Sequence, residues 1–178
     1  MHKYLFLFLV ATCSLGWGQE ETSEKTLQYH SASFNLPPFS LYGGNGTGGF
    51  QYGGDLTLAH KNHLFTYMMA FGHEVDIFGP TDNYGQINLM YGREFPLSRT
   101  VFFELHGGAG YFNFSSVDVD PDKRVQETVQ TIGFPVMGKL RIHTGPRFSL
   151  GLLMGANYNS AATVWNVGIV LQWNKRKW

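Results

Sequence analysis

The run Thr163-Val164-Trp165-Asn166-Val167-Gly168-Ile169-Val170-Leu171-Gln172-Trp173-Asn174 decides how this chain folds. Trp165, Val167, Ile169, Leu171 and Trp173 fall on one parity, and Asn166, Gly168, Val170, Gln172 and Asn174 on the other. Successive side chains of a strand point to opposite faces, so this is a strand with one apolar face and one mostly small or polar face. The tryptophans are 173 − 165 = 8 positions apart. At ~3.3 Å per residue and a tilt of ~40° they stand about 20 Å apart along a membrane normal, near the height of a ~25 Å apolar band bounded by aromatic girdles. A core strand of a soluble sandwich also alternates, but its other face would carry charge, and here that face holds Asn, Gly and Gln.

The same pattern recurs toward the N-terminus. Phe148, Leu150, Leu152, Met154 and Ala156 oppose Ser149, Gly151, Leu153, Gly155 and Asn157, with Tyr158–Ala162 as a compact turn after them. Ile132, Phe134, Val136, Leu140 and Ile142 oppose Thr131, Gly133, Pro135, Lys139 and Arg141, where Pro135 removes a ladder bond and marks a bulge. Phe103, Leu105, Ala109 and Tyr111 oppose Glu104, His106, Gly108 and Gly110. Ile87, Leu89 and Tyr91 form a further set, Phe65, Tyr67, Met69 and Phe71 another, and Phe50, Tyr52, Leu56 and Leu58 another. Leu27–Leu36 is the weakest, since Ser31 and Ser33 blur its faces. The sum is about eight strands of ~9–11 residues, the length of a tilted membrane strand. The expected architecture is all-β, an eight-stranded antiparallel up-and-down transmembrane barrel.

Such a barrel has short turns at one end and longer loops at the other. Pro37–Gly48, Glu74–Asn83, Asn113–Glu127 and Asn159–Ala162 are the expected outer connections; His60–His63, Phe95–Arg99 and His143–Pro146 are the inner ones. The first three outer segments are longer than every inner one.

Composition agrees. The 178 residues include 22 glycines, with 16% aromatic and 15% charged residues, against roughly 25% charged in soluble domains. Formal net charge is zero, which gives no electrostatic reason to expect nucleic acid. Met1-His2-Lys3, the apolar Tyr4–Leu15 and Gly16-Trp17-Gly18 read as a secretory leader. Residues 1–18 are then a signal peptide and 19–178 the barrel domain, 178 − 18 = 160 residues long. The sole cysteine, Cys13, lies in that leader behind Thr12 rather than behind Gly, Ala or Ser, which disfavours lipidation and leaves the exported chain without a thiol.

With these strands in view, the chain resembles the small outer-membrane barrels of the OmpA-transmembrane, OmpX and OmpW kind, and the "outer membrane protein beta-barrel" or porin-like proteins of Gram-negative bacteria. The resemblance spans the mature chain and lies in pattern rather than in a site. Asn166-x-Gly168-x-x-Leu171-x-Trp173 is similar to the terminal-strand signal read by barrel-assembly machinery. The chain continues to Trp178, so either Trp173 or Trp178 could be the aromatic that is read. The resemblance implies outer-membrane localisation, with outer-membrane lipid, lipopolysaccharide and the assembly machinery as partners and no cofactor.

Candidate chemistry is sparse. Asp55, Glu94, Glu104, His106, Lys139 and Arg141 belong to the lumen-facing parity. Eight strands leave a lumen that side chains fill, so these charges should pair, Lys139 or Arg141 with Glu104; a charged constriction in a narrow pore is the alternative. Lipid-modifying barrels of this size are implied to carry His-x-Ser-Asn on a late strand, and Asn157-Tyr158-Asn159-Ser160-Ala161 lacks the histidine. His30 and Ser31 are adjacent, and strand alternation sends neighbours to opposite faces. Gly44-Asn45-Gly46-Thr47-Gly48-Gly49 satisfies G-x-G-x-x-G without a following helix, so it reads as a flexible loop. Asp118-Val119-Asp120-Pro121-Asp122 opens like a calcium loop, but Lys123 replaces the glycine and Val129 the terminal glutamate, leaving a solvated acidic loop. A soluble lipocalin-like binding barrel is the main non-membrane rival.

Overall fold

A computed structural model describes residues 27–37, 40–44, 47–74, 82–120 and 123–175. Residues 1–18, where the signal peptide is expected, and Trp178 lie outside them. The strands are β1 Gln28–Asn35, β2 Ser40–Gly44, β3 Thr47–His60, β4 His63–Glu74, β5 Asn83–Pro96, β6 Val101–Asp120, β7 Lys123–His143, β8 Phe148–Tyr158 and β9 Val164–Asn174. All pairings are antiparallel, and β9 closes the sheet by pairing with both β1 and β2. β1 and β2 both lie between β3 and β9, so they form one interrupted stave and nine strands make an eight-staved barrel.

The burial of β9 alternates along its whole length: Trp165 and Trp173 are exposed, while Asn166 and Gln172 are buried. Leu89 on β5 and Ile132 on β7 are 69% and 65% exposed, so the large apolar side chains cover the outside of the tube. Glycines let large rings lie flat on the wall. A Cβ on Gly72 would sit 1.9 Å from the ring of Tyr84, its cross-strand partner.

Three tight turns close one end of the barrel. β3 and β4 join through Lys61-Asn62, where Lys61 takes the left-handed φ of 56°. β5 passes to β6 through Leu97–Thr100, with Leu97 and Ser98 N–H donating to the Val101 carbonyl. β7 passes to β8 through Thr144–Arg147. At the opposite end Asn159 organises the β8–β9 turn: its Oδ1 accepts from the Ala161 and Ala162 N–H at 2.9 and 2.8 Å.

Several expectations need correction. Pro37–Gly48 is no long loop: β2 and the start of β3 form a hairpin in which Gly44 pairs Thr47. Gly44 and Thr47–Gly49 of the glycine-rich run therefore lie in paired strands rather than in a loop, and residues 45–46 lie outside the described residues. Asn113–Glu127 is no loop either. β6 and β7 are 20 and 21 residues long and pair out to Asp120↔Lys123, far beyond the expected ~9–11 residues. Val117-Asp118-Val119-Asp120 alternates for only four residues after Ser115-Ser116, too short a stretch for periodicity to show where β6 ends. The acidic run Asp118–Asp120 therefore sits in a strand at a hairpin tip. Glu74–Asn83 remains a connection, and residues 75–81 lie outside the description.

Pro135 interrupts the β6–β7 ladder between Gly107↔Val136 and Gly110↔Gly133, yet 107 + 136 equals 110 + 133, so no residue is inserted and no bulge forms. A bulge occurs instead in β1, where register shifts between Tyr29 and Ser31. Ser31, Ser33 and Asn35 are buried while Phe34 is exposed, so the serines face the lumen and β1 has two distinct faces.

Candidate functional site

The turn end of the lumen holds the charges. From β7, Arg141 reaches Glu94 on β5 at 2.5 Å and also pairs with Glu104 on β6. Its Nη1 donates to Asn174 Oδ1 on β9 at 3.0 Å. Lys139, two residues along the same face, does not pair with Glu104 although the two are register partners. Its ammonium donates to Asp55 Oδ2 on β3 at 2.6 Å and to Ser33 Oγ on β1 at 3.0 Å. Thr57 Oγ1 also donates to Asp55, at 3.3 Å. His106 Nε2 lies 3.2 Å from Glu104, and its Nδ1 lies 3.2 Å from Thr66 Oγ1.

His30 joins this cluster, which parity alone does not show. The β1 bulge turns its ring inward, placing Nε2 3.1 Å from Glu104 and 3.3 Å from Glu94. The rule that His30 and Ser31 face opposite ways therefore fails: both point into the barrel. They still form no nucleophile–base pair, since Ser31 Oγ is buried without a hydrogen-bond partner. Two permanent cations thus face three carboxylates, with two imidazoles beside the most buried one. Side-chain atoms of His30, Glu94 and Glu104 lie within 4.8 Å of one another, a spacing that could hold a metal ion. The Arg141 guanidinium already bonds both carboxylates, so a fixed positive charge occupies the place of an ion.

Above the charges the lumen turns apolar. Along β5 the inward residues run from Glu94 through Met90, Asn88 and Gln86 to Tyr84. Met68, Met90, Met137, Leu153 and Val170 pack as one layer. Tyr42, Tyr84, Phe112, Ala162 and Val164 pack as a second layer toward the hairpin end. Tyr42 meets Tyr84 edge-on at 4.9 Å and Tyr84 stacks on Phe112 at 5.6 Å. Between the layers Asn157 donates to Gln86 at 2.5 Å and Asn166 to Gln51 at 2.8 Å. A space lined by Met68, Gln86, Met137 and Asn166 amounts to only about 10 Å³, room for one water at most against the ~10–15 Å³ one water requires.

Trp165 and Trp173 lie on the outer wall at opposite ends of β9, with Leu171 outward between them. Asn166 is turned inward to Gln51, and Gly168 faces Ser40, whose Oγ would be 2.5 Å from a Cβ there. The polar residues of 157–161 have structural partners. Asn157 sits in the lumen, Asn159 holds the turn, and Ser160 meets Thr131 at 2.8 Å.

No protein-family model and no curated protein matches the sequence. Solved structures do match the fold. Neisserial surface protein A is similar with a TM-score of 0.66 at 11% identity, over 85% of this chain and 100% of that one. The attachment invasion locus protein Ail of Yersinia pestis matches with a TM-score of 0.54 at 11% identity, over 84% and 99%. The N-terminal β-barrel domain of Pseudomonas aeruginosa OprF matches with 0.53 at 14% identity, over 84% and 100%. The chain thus has the fold of the small outer-membrane β-barrels, closed, antiparallel and apolar on its outside.

Proposed function

We propose that this protein is an integral outer-membrane barrel with a solid lumen, acting at the cell surface rather than as a pore or an enzyme. The carrying observation is the lumen filling. Buried pairs from Arg141 and Lys139 tie β7 to β3, β5 and β6, and two apolar layers lie above them. A conducting path would need water through all three levels. The wall supports the location, because an exposed apolar belt of this extent is tolerated only in hydrocarbon.

A surface role is favoured by the β6–β7 hairpin. β5 pairs with β6 only to Ser115 and β8 with β7 only to Phe134, whereas the two partners continue together to Asp120 and Lys123. This ribbon stands beyond its neighbours and offers an edge and two faces to outside molecules. Two of the fold neighbours carry the names surface protein and attachment invasion locus protein, which agrees with that role. Planar-bilayer recording of the purified barrel tests the solid lumen. Conductance should stay at background; steady, ion-selective channels would overturn the reading and make the Arg141 cluster a constriction.

A further inference from the structure

On the outer wall, β1, β3 and β4 frame a cleft of about 500 Å³. Its floor is thin at Gly54, which lies between the exposed Tyr52 and Leu56 and presents only hydrogen. The ring of Phe34, paired with Gly54, leans across it, 3.1 Å from where a Cβ would stand. Tyr67, Met69 and Phe71 form the opposite bank, and Tyr52 stacks on Phe71 at 5.5 Å. Asp55, the only acidic or basic side chain among the residues lining the cleft, turns its carboxylate inward to Lys139.

We propose that this cleft holds one acyl chain of a glycerophospholipid as a resident lipid. The proposal rests on the reading that the wall is immersed in a bilayer. Within hydrocarbon no hydrophobic force draws a chain to protein, so selection comes from packing. A chain on a convex stave touches one bank, whereas a chain in the cleft touches two and gains many small dispersion contacts. The banks are mostly aromatic rings with few torsions to freeze. Among the described residues no charged group of the wall turns into the cleft to pair with the phosphates of lipopolysaccharide, which favours a plain glycerophospholipid. A second barrel would offer a convex wall to a concave site.

Native mass spectrometry of barrels extracted in mild detergent tests this, with heat-modifiable gel mobility checking separately that each sample is a folded membrane barrel. Wild type should retain one glycerophospholipid. Ala32→Phe fills the cleft from β1 and Met69→Phe fills it from β4, and either folded variant should lower occupancy at least tenfold. Ala109→Phe, in a separate outer-wall depression beside Tyr111 and Ile132, should leave occupancy unchanged. No retained lipid on folded wild type would overturn the proposal, as would retained lipopolysaccharide, a barrel dimer in its place, or undiminished lipid in both folded cleft variants. Loss of heat modifiability in wild type would instead overturn the membrane reading beneath it.

Discussion

Glu104 is the residue on which the lumen network converges, accepting from or facing Arg141, His30 and His106 while wholly buried. Replacing it with Gln keeps the volume but leaves Arg141 with Glu94 alone. Breaking one side of a buried ion pair costs about 3–5 kcal/mol, discounted here because Glu94 remains, so Glu104→Gln should unfold in detergent at a clearly lower temperature. An unchanged melting temperature by heat-modifiable mobility would show that the pair does not hold the lumen. Gly72 makes a second claim at this scale. Gly72→Ala should destabilise by about 1–3 kcal/mol because the Tyr84 ring already occupies the space, and Tyr84→Ala in the same chain should relieve part of that loss. Strictly additive losses would refute the contact.

Among the elements, β9 carries the closing ladder, four pairs to β1 and four to β2. An open strand edge is not tolerated in lipid, so deleting Leu171–Trp178 should abolish insertion, measured as loss of outer-membrane protein in fractionated cells. Deleting only Lys175–Trp178 decides which aromatic is read: assembly should survive if Trp173 serves and fail if Trp178 does. Wild-type assembly of both truncations would remove β9 as a closing signal. The strands themselves were legible wherever one face meets lipid, as the alternation at Trp165–Trp173 and Phe148–Asn157 shows. Their ends were not, because β6 and β7 run on past their neighbours and the brief alternation of Val117-Asp118-Val119-Asp120, after Ser115-Ser116, is too short to mark a strand by itself. Parity also gathers Glu104, Lys139 and Arg141 onto inward faces. It cannot assign which cation meets which carboxylate: Lys139 reaches across to Asp55 rather than to its register partner. His30 stayed hidden because a single-residue bulge reverses parity, and nothing in Tyr29-His30-Ser31 announces one.

For the molecule as a whole, the exposed apolar wall predicts co-fractionation with the outer membrane and different gel mobility before and after boiling. Recovery as a detergent-free soluble monomer would favour a lipocalin-like barrel instead. The link from Lys139 on β7 to Asp55 on β3 has a mechanical meaning as well. Those staves are not neighbours in the sheet, so the bond is a strut thrown across the tube rather than a stitch along its hoop. Backbone ladders fix the circumference but not the roundness of the cross-section, and a tube of fixed girth can flatten at little cost to its ladders. Under the uneven lateral pressure of a bilayer, a barrel lacking this strut would ovalise more readily, resisted only by the remaining cross-lumen contacts such as His30 to Glu104 and Asn157 to Gln86.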